Sequence, residues 1–128
     1  MAQGKHVAVW FEIPVTDIDR ASRFYSTVLD TKLAPMEFGP HKMAVFPGGG
    51  SREENVVHGA LVQGPGYTPA GDGPMIYLNG GEDLAGPLSR VEAAGGRVLQ
   101  PKMEIGQHGF MALFLDTEGN RLALHSER

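Results

Sequence analysis

Cysteine is absent from the 128 residues. That removes disulfides, thiolate zinc sites and cysteine nucleophiles together. Basic charge is scarce: 11 Lys and Arg stand against 15 Asp and Glu, for a net charge of −4 with no basic run. Nucleic acid is therefore not an expected partner. No apolar run reaches the roughly 18 residues of a membrane span, so no membrane partner is expected. The opening MAQGKHVAVWFEI has one Lys and a short apolar run that passes into a strand pattern, which does not read as a signal peptide. A cytoplasmic address is the default expectation. Phosphate loops are missing as well. Neither Gly48-Gly49-Gly50 nor the GPGYTPAG run at 64–71 has the Lys and Ser/Thr of a P-loop or the strand-to-helix setting of a dinucleotide fingerprint. No Ser occupies a nucleophile-elbow spacing.

What remains is an ordinary globular chain, 41% hydrophobic and 20% charged, long enough for one domain with a real core. Eighteen Gly and nine Pro imply short elements and many turns. His6 to Val15 reads as a strand. By alternation Val7, Val9, Phe11 and Ile13 share one face, and Ala8, Trp10 and Glu12 the other. Asp17 is the predicted N-cap of a helix whose face is Ile18, Ala21, Tyr25, Val28 and Leu29, with Phe24 at its margin and Arg20, Arg23 and Ser26 toward water. Strands follow at 32–38 and 41–46, joined by a Gly39-Pro40 turn. A flexible loop over 47–55 precedes a strand at 56–62. The run 64–74 carries neither period and reads as a linker.

The order then restarts. A strand at 75–79 leads to a helix capped by Glu82 or Asp83, with Leu84, Leu88, Val91 and Ala94 on its apolar face and Gly95-Gly96 as its stop. A strand at 97–100, a loop over 101–109, a strand at 110–115, a turn at 116–120 and a strand at 121–126 complete the chain. The offset that carries Asp17 onto Asp83 also carries Tyr25 onto Val91, Val28 onto Ala94 and Leu33 onto Leu99. The chain is thus an internal repeat. The expected fold is α+β, with two tandem βαβββ modules at about 5–63 and 75–127 joined by the linker 64–74.

Three stretches, FEIPVTDIDRASRFYSTVL at 11–29, DLAGPLSRVEAAGGRV at 83–98 and GFMALFLDTEGNRLALHS at 109–126, resemble the vicinal oxygen chelate superfamily, which includes glyoxalase I and the bleomycin-resistance proteins. The likeness is greatest to a bacterial group related to lactoylglutathione lyase. It implies that each βαβββ module curls into a half-barrel around a small-molecule cavity, and that the chain forms a homodimer. It also implies a divalent cation held by His, His and Glu on three strands. Placed by spacing from the helix caps and from Gly119-Asn120, those positions fall on Trp10, on Ile76 or Tyr77, and on Ala123. No metal or other cofactor is therefore expected at the inherited site, although a divalent metal at a displaced one stays open.

Several residues remain for chemistry. Glu12, on the strand face the resemblance turns into the cavity, is the candidate base or hydrogen-bond acceptor; a structural ion pair is the alternative. His125 lies two residues beyond Ala123, as Glu12 lies two beyond Trp10, so the two are candidate catalytic partners. The alternative is a partly exposed histidine near the end of the last strand. His58 is a candidate third group or a satisfied structural residue. His108 sits in a Gly-flanked loop that would shape ligand entry or simply face water. Trp10, Tyr67, Tyr77 and Phe110 are candidates for an aromatic wall. His6 and His41 read as surface residues. Two functions follow. One is a lyase or isomerase acting on a small carbonyl compound with Glu12 as base. The other is a protein that sequesters a small antibiotic-type molecule. Glutathione conjugates enter as substrates through the resemblance alone.

Overall fold

A computed structural model describes residues 7–47 and 56–128. His6 and most of the loop predicted over 47–55 lie outside the described residues. Two four-stranded sheets form, in the orders β1-β4-β3-β2 and β5-β8-β7-β6. The first holds β1 (Trp10–Pro14), β2 (Ala34–Phe38), β3 (His41–Val45) and β4 (His58–Gln63). The second holds β5 (Tyr77–Asn79), β6 (Arg97–Glu104), β7 (Phe110–Leu115) and β8 (Arg121–Ser126). Each sheet pairs its first and last strands in parallel and the others antiparallel. The repeat is therefore topological as well as sequential.

Helix α1 (Ile18–Val28) forms as its periodicity predicts. Asp17 Oδ1 accepts from the Arg20 amide at 3.0 Å, and Ala21, Phe24, Tyr25 and Val28 are buried. Phe24 belongs to the core rather than to its margin. One apolar cluster joins α1 to Ile13 and Leu61 of the first sheet, to Val15 just past β1, and to Leu84, Val91, Phe114 and Leu124 of the second half. Phe24 lies 6.0 Å from Phe114, and Tyr25 meets Phe24 and Phe46 edge-on.

Three elements depart from their predicted bounds. Strand β1 begins at Trp10, because β4 starts at its register partner His58; Val7 and Val9 are 85% and 71% exposed. The second helix shortens to one turn, α2 (Ala85–Leu88). Gly86 is a poor helix former and Pro87 supplies no N–H, so turns carry the chain on to Gly95. Leu84 and Val91 still reach the core. Strand β6 runs through the loop predicted after Gln100 to Glu104, with one register shift between Val98 and Gln100 and a second, spanning Pro101, between Gln100 and Met103. An edge strand tolerates a proline in this way, and a 3₁₀ turn (Gly106–His108) follows.

The turn at Asp116–Asn120 fastens the halves together. Asp116 accepts from the Glu118 and Asn120 amides at 2.8 and 2.9 Å, and from the buried Tyr25 hydroxyl at 2.7 Å. Burial, followed by the charge of Asp116, pushes the Tyr25 phenol well above its ordinary range. Asn120 Nδ2 donates to the Pro14 carbonyl at 2.7 Å, and its Oδ1 accepts from the Ala70 amide at 3.1 Å. Arg20, read from the sequence as a solvent-facing residue, makes an ion pair with Glu118 at 2.7 Å.

Candidate functional site

Strands β1 and β5 are edge strands of separate sheets, and residues of both line the space between them. Two cavities lie there, following one another along the strands and sharing Ile76. The smaller, of about 240 Å³, takes in Glu12, Pro14, Asp72, Asn120 and Arg121. The larger, of about 610 Å³, is mostly apolar: Phe11, Phe46, Val57 and Leu78 line it, with His58 and Tyr77. The place of Phe11 on its wall depends on Gly59, where a Cβ would clash with the edge of the Phe11 ring.

Glu12 is half-buried and held at both oxygens. Tyr67 Oη donates to Oε1 at 2.6 Å, and Trp10 Nε1 donates to Oε2 at 3.1 Å. The Trp10 bond follows from alternation, since residues two apart on a strand share a face. The Tyr67 bond comes from the linker, which folds back against β1 and adds Thr68, Ala70 and Asp72 to the cavity wall. Hydrogen bonding to Glu12, then burial, raises the Tyr67 phenol above its ordinary value. His41 stacks edge-on against Tyr67 at 5.2 Å, and its Nε2 lies 3.0 Å from the Pro65 carbonyl. His41 is therefore half-buried beside the site and not the hairpin-tip surface residue expected.

The other candidates separate. His58 sits in register with Trp10 and lines the larger cavity with Tyr77. Glu12 and His125 are not brought together. The His125 Nε2 is 2.6 Å from the His108 carbonyl, and the ring lines a different cavity with Tyr77 and Asn79. His108 contributes its backbone to that contact while its residue is exposed. Phe110 packs against the core cluster, with the Lys102 ammonium 4.6 Å from its ring centre, so it forms no wall with Trp10. The sequence pattern does not single out Tyr67 as a partner of Glu12, nor Asp72, Asn120 and Arg121 as neighbours of the site. The linker has no periodicity to orient Tyr67, and turn propensity alone accounts for Asn120.

The cation implied by the sequence resemblance does not fit this chain. Tyr77 is the register partner of Ala123, so the three positions hold Trp10, Tyr77 and Ala123, a set without a single imidazole or carboxylate. Among the described residues no three His, Asp or Glu gather to hold a metal ion, which includes Glu12, His58 and His125. Among the described residues no helix is long and apolar enough to cross a membrane.

Comparison with known proteins agrees with this architecture. The profile of the Glyoxalase/Bleomycin resistance protein/Dioxygenase superfamily matches residues 5–124. A glyoxylase-like domain-containing protein of Didymella fabae is 34% identical over 119 residues, covering 88% of each chain. Glyoxalase I of Zea mays superposes with a TM-score of 0.67 at 19% identity over 93% of this chain; the chain spans less than half of the maize protein, 45%. TnmS3, an antibiotic binding protein from Streptomyces sp. CB03234, superposes with a TM-score of 0.66 at 20% identity over 98% of both chains.

Proposed function

The chain belongs to the Glyoxalase/Bleomycin resistance protein/Dioxygenase superfamily, and on that footing we propose that it binds a small organic molecule between its two sheets, with Glu12 as the polar anchor. The observation that supports this is the pair of donors on the Glu12 carboxylate, Tyr67 at 2.6 Å and Trp10 at 3.1 Å. Both bonds fix the direction of the carboxylate before any ligand arrives. A carboxylate so held is a prepared acceptor for a ligand N–H or O–H. The antibiotic-binding relative of similar length is in keeping with this reading.

A lyase or isomerase acting on a small carbonyl compound is the second reading. It is favoured by the place of Glu12 on a cavity wall, with a lone pair left on each oxygen to receive a substrate proton. In that reaction Glu12 would take the proton and Tyr67 would hold the carboxylate in position, with no share for His125. A homodimer belongs to the same proposal. Trp10 and Tyr77 on the edge strands β1 and β5, at 44% and 53% exposure, and Phe38 on the outer strand β2, at 71%, are apolar side chains that a second copy would cover.

Trp10 is the only tryptophan and donates to Glu12, so its emission reports on the site. Under the binding reading, a compound screen yields saturable quenching of Trp10 without turnover. Glu12→Gln then weakens binding by about tenfold, the loss expected for a hydrogen bond to a charged group. Turnover of a carbonyl compound that disappears in Glu12→Gln would instead establish the enzyme. A folded protein that neither binds nor turns over any compound would remove both readings.

A further inference from the structure

The two cavities differ in chemistry in a way that selects a class of ligand. In the smaller one the described charges are Glu12, Asp72 and Arg121. Asp72 and Arg121 offset each other, which leaves Glu12 to set the sign. In the larger one the described wall is apolar apart from Thr31, His58, Asn79 and the Tyr77 hydroxyl, with no carboxylate, lysine or arginine. An anion entering the cleft would meet the Glu12 charge in a partly desolvated place, where like charges repel more strongly than in water. A cation would have to leave its hydration shell for the apolar wall. A neutral body with one donor meets neither cost.

We infer that the cleft takes an uncharged aromatic amphiphile, its ring system in the larger cavity and one N–H or O–H reaching past Ile76 to Glu12, and that it rejects anions. This rests on the binding reading above and adds the ligand class. Glutathione conjugates, which carry carboxylates, are excluded by it.

Two dyes that share a ring system make the test. N-phenyl-1-naphthylamine is neutral with a single N–H; 1-anilinonaphthalene-8-sulfonate adds a sulfonate. Titrations followed by dye emission, with stoichiometry and circular dichroism recorded for every variant, give the affinities. The neutral dye is expected to bind once per chain and at least about tenfold more tightly than the sulfonate. Glu12→Gln, an isosteric change, should bring the two dyes to within about threefold of each other. Val57→Glu, at a residue 36% exposed on the larger cavity's wall, should abolish binding of the neutral dye while the protein stays folded. Equal affinity for the two dyes, or a preference that survives Glu12→Gln, overturns the inference and leaves the binding reading standing. If neither dye binds the folded wild type, the inference falls, and the binding reading falls with it only if the wider compound screen also yields no ligand.

Discussion

Replacing Glu118 by glutamine tests the joint between the modules. Its side chain is fully shielded from solvent. One oxygen accepts from the Thr16 and Asp17 amides, the Thr16 hydroxyl and Arg20 Nη2 at 2.9 to 3.0 Å; the other accepts from Arg20 Nε at 2.7 Å and from Thr117. In a capping box, an acid three residues into a helix closes back on the N-cap amide. Here Arg20 occupies that place, and Glu118 of the other module supplies the carboxylate. Burial opposes its ionisation, but hydrogen bonds from Arg20, Thr16 and Thr117 outweigh it and lower the carboxyl from 4.5 to about 2. By linkage that depression corresponds to about 3 kcal/mol of stability. Screening at Arg20, which is 45% exposed, reduces the figure to about 2 kcal/mol. Glutamine keeps an acceptor for the amides but turns an N–H₂ toward Arg20 or Thr117 and loses the charge. The expected fall in Tm at pH 7 is roughly 6–10 °C, at about 4 °C per kcal/mol for a chain of this size. Because the folded-state carboxyl is depressed, its contribution is complete above the unfolded value and disappears as pH falls toward 2. The deficit of the variant should therefore shrink to roughly half or less by pH 3. Thermal unfolding followed by far-UV circular dichroism at both pH values decides the matter. An unchanged Tm at pH 7, or the same deficit at pH 3, would refute the reasoning.

Other perturbations probe the site and the core. Tyr67→Phe removes one of the two donors on Glu12 and should cost about 1 kcal/mol or less in stability, with a shift in Trp10 emission as the carboxylate loosens. Tyr25→Phe leaves the buried Asp116 carboxylate one donor short and should cost about 1–3 kcal/mol by denaturant unfolding. In an alkaline spectrophotometric titration, one of the three tyrosines should ionise only as the protein unfolds, because burial and Asp116 raise Tyr25; this step should be missing in Tyr25→Phe. Gly59→Ala should drive Phe11 off its seat, cost about 1–3 kcal/mol as an overpacked position, and reshape the larger cavity, which the affinity for the neutral dye would report.

Where one element decides its own form, the sequence reveals it. The period from Ile18 to Val28 and the Asp17 cap specify α1, and alternation places Trp10 and Glu12 on one face. The restart after the linker discloses a duplicated architecture. Where two elements decide together, the sequence is silent. Nothing in LSRVEAAGG tells the chain to abandon its helix after Leu88; Gly86 and Pro87 weaken the helix, and the packing of Leu84 and Val91 does not need it. The strand through Pro101 exists because β7 offers a ladder beside it. The same limit applies to the site. Glu12 is legible from its strand, but Tyr67 reaches it from a linker without periodicity. The suggested meeting of Glu12 and His125 assumed that equal displacement along two strands means proximity, whereas the His108 carbonyl holds His125 elsewhere.

The outer margins of the two sheets bear on how the protein behaves when concentrated. Strand β2, exposed at every residue, carries Pro35 and Glu37; β6 carries Pro101, Lys102 and Glu104 and slips register along its length. A proline withholds a ladder donor, and a charge or a bulge spoils the fit of an incoming strand. Each sheet thus ends outward in a strand that is a poor template for another chain. Sheet-to-sheet pairing is disfavoured at these two strands, while the other two edge strands, β1 and β5, both line the larger cavity, where a small ligand rather than another chain is the proposed occupant.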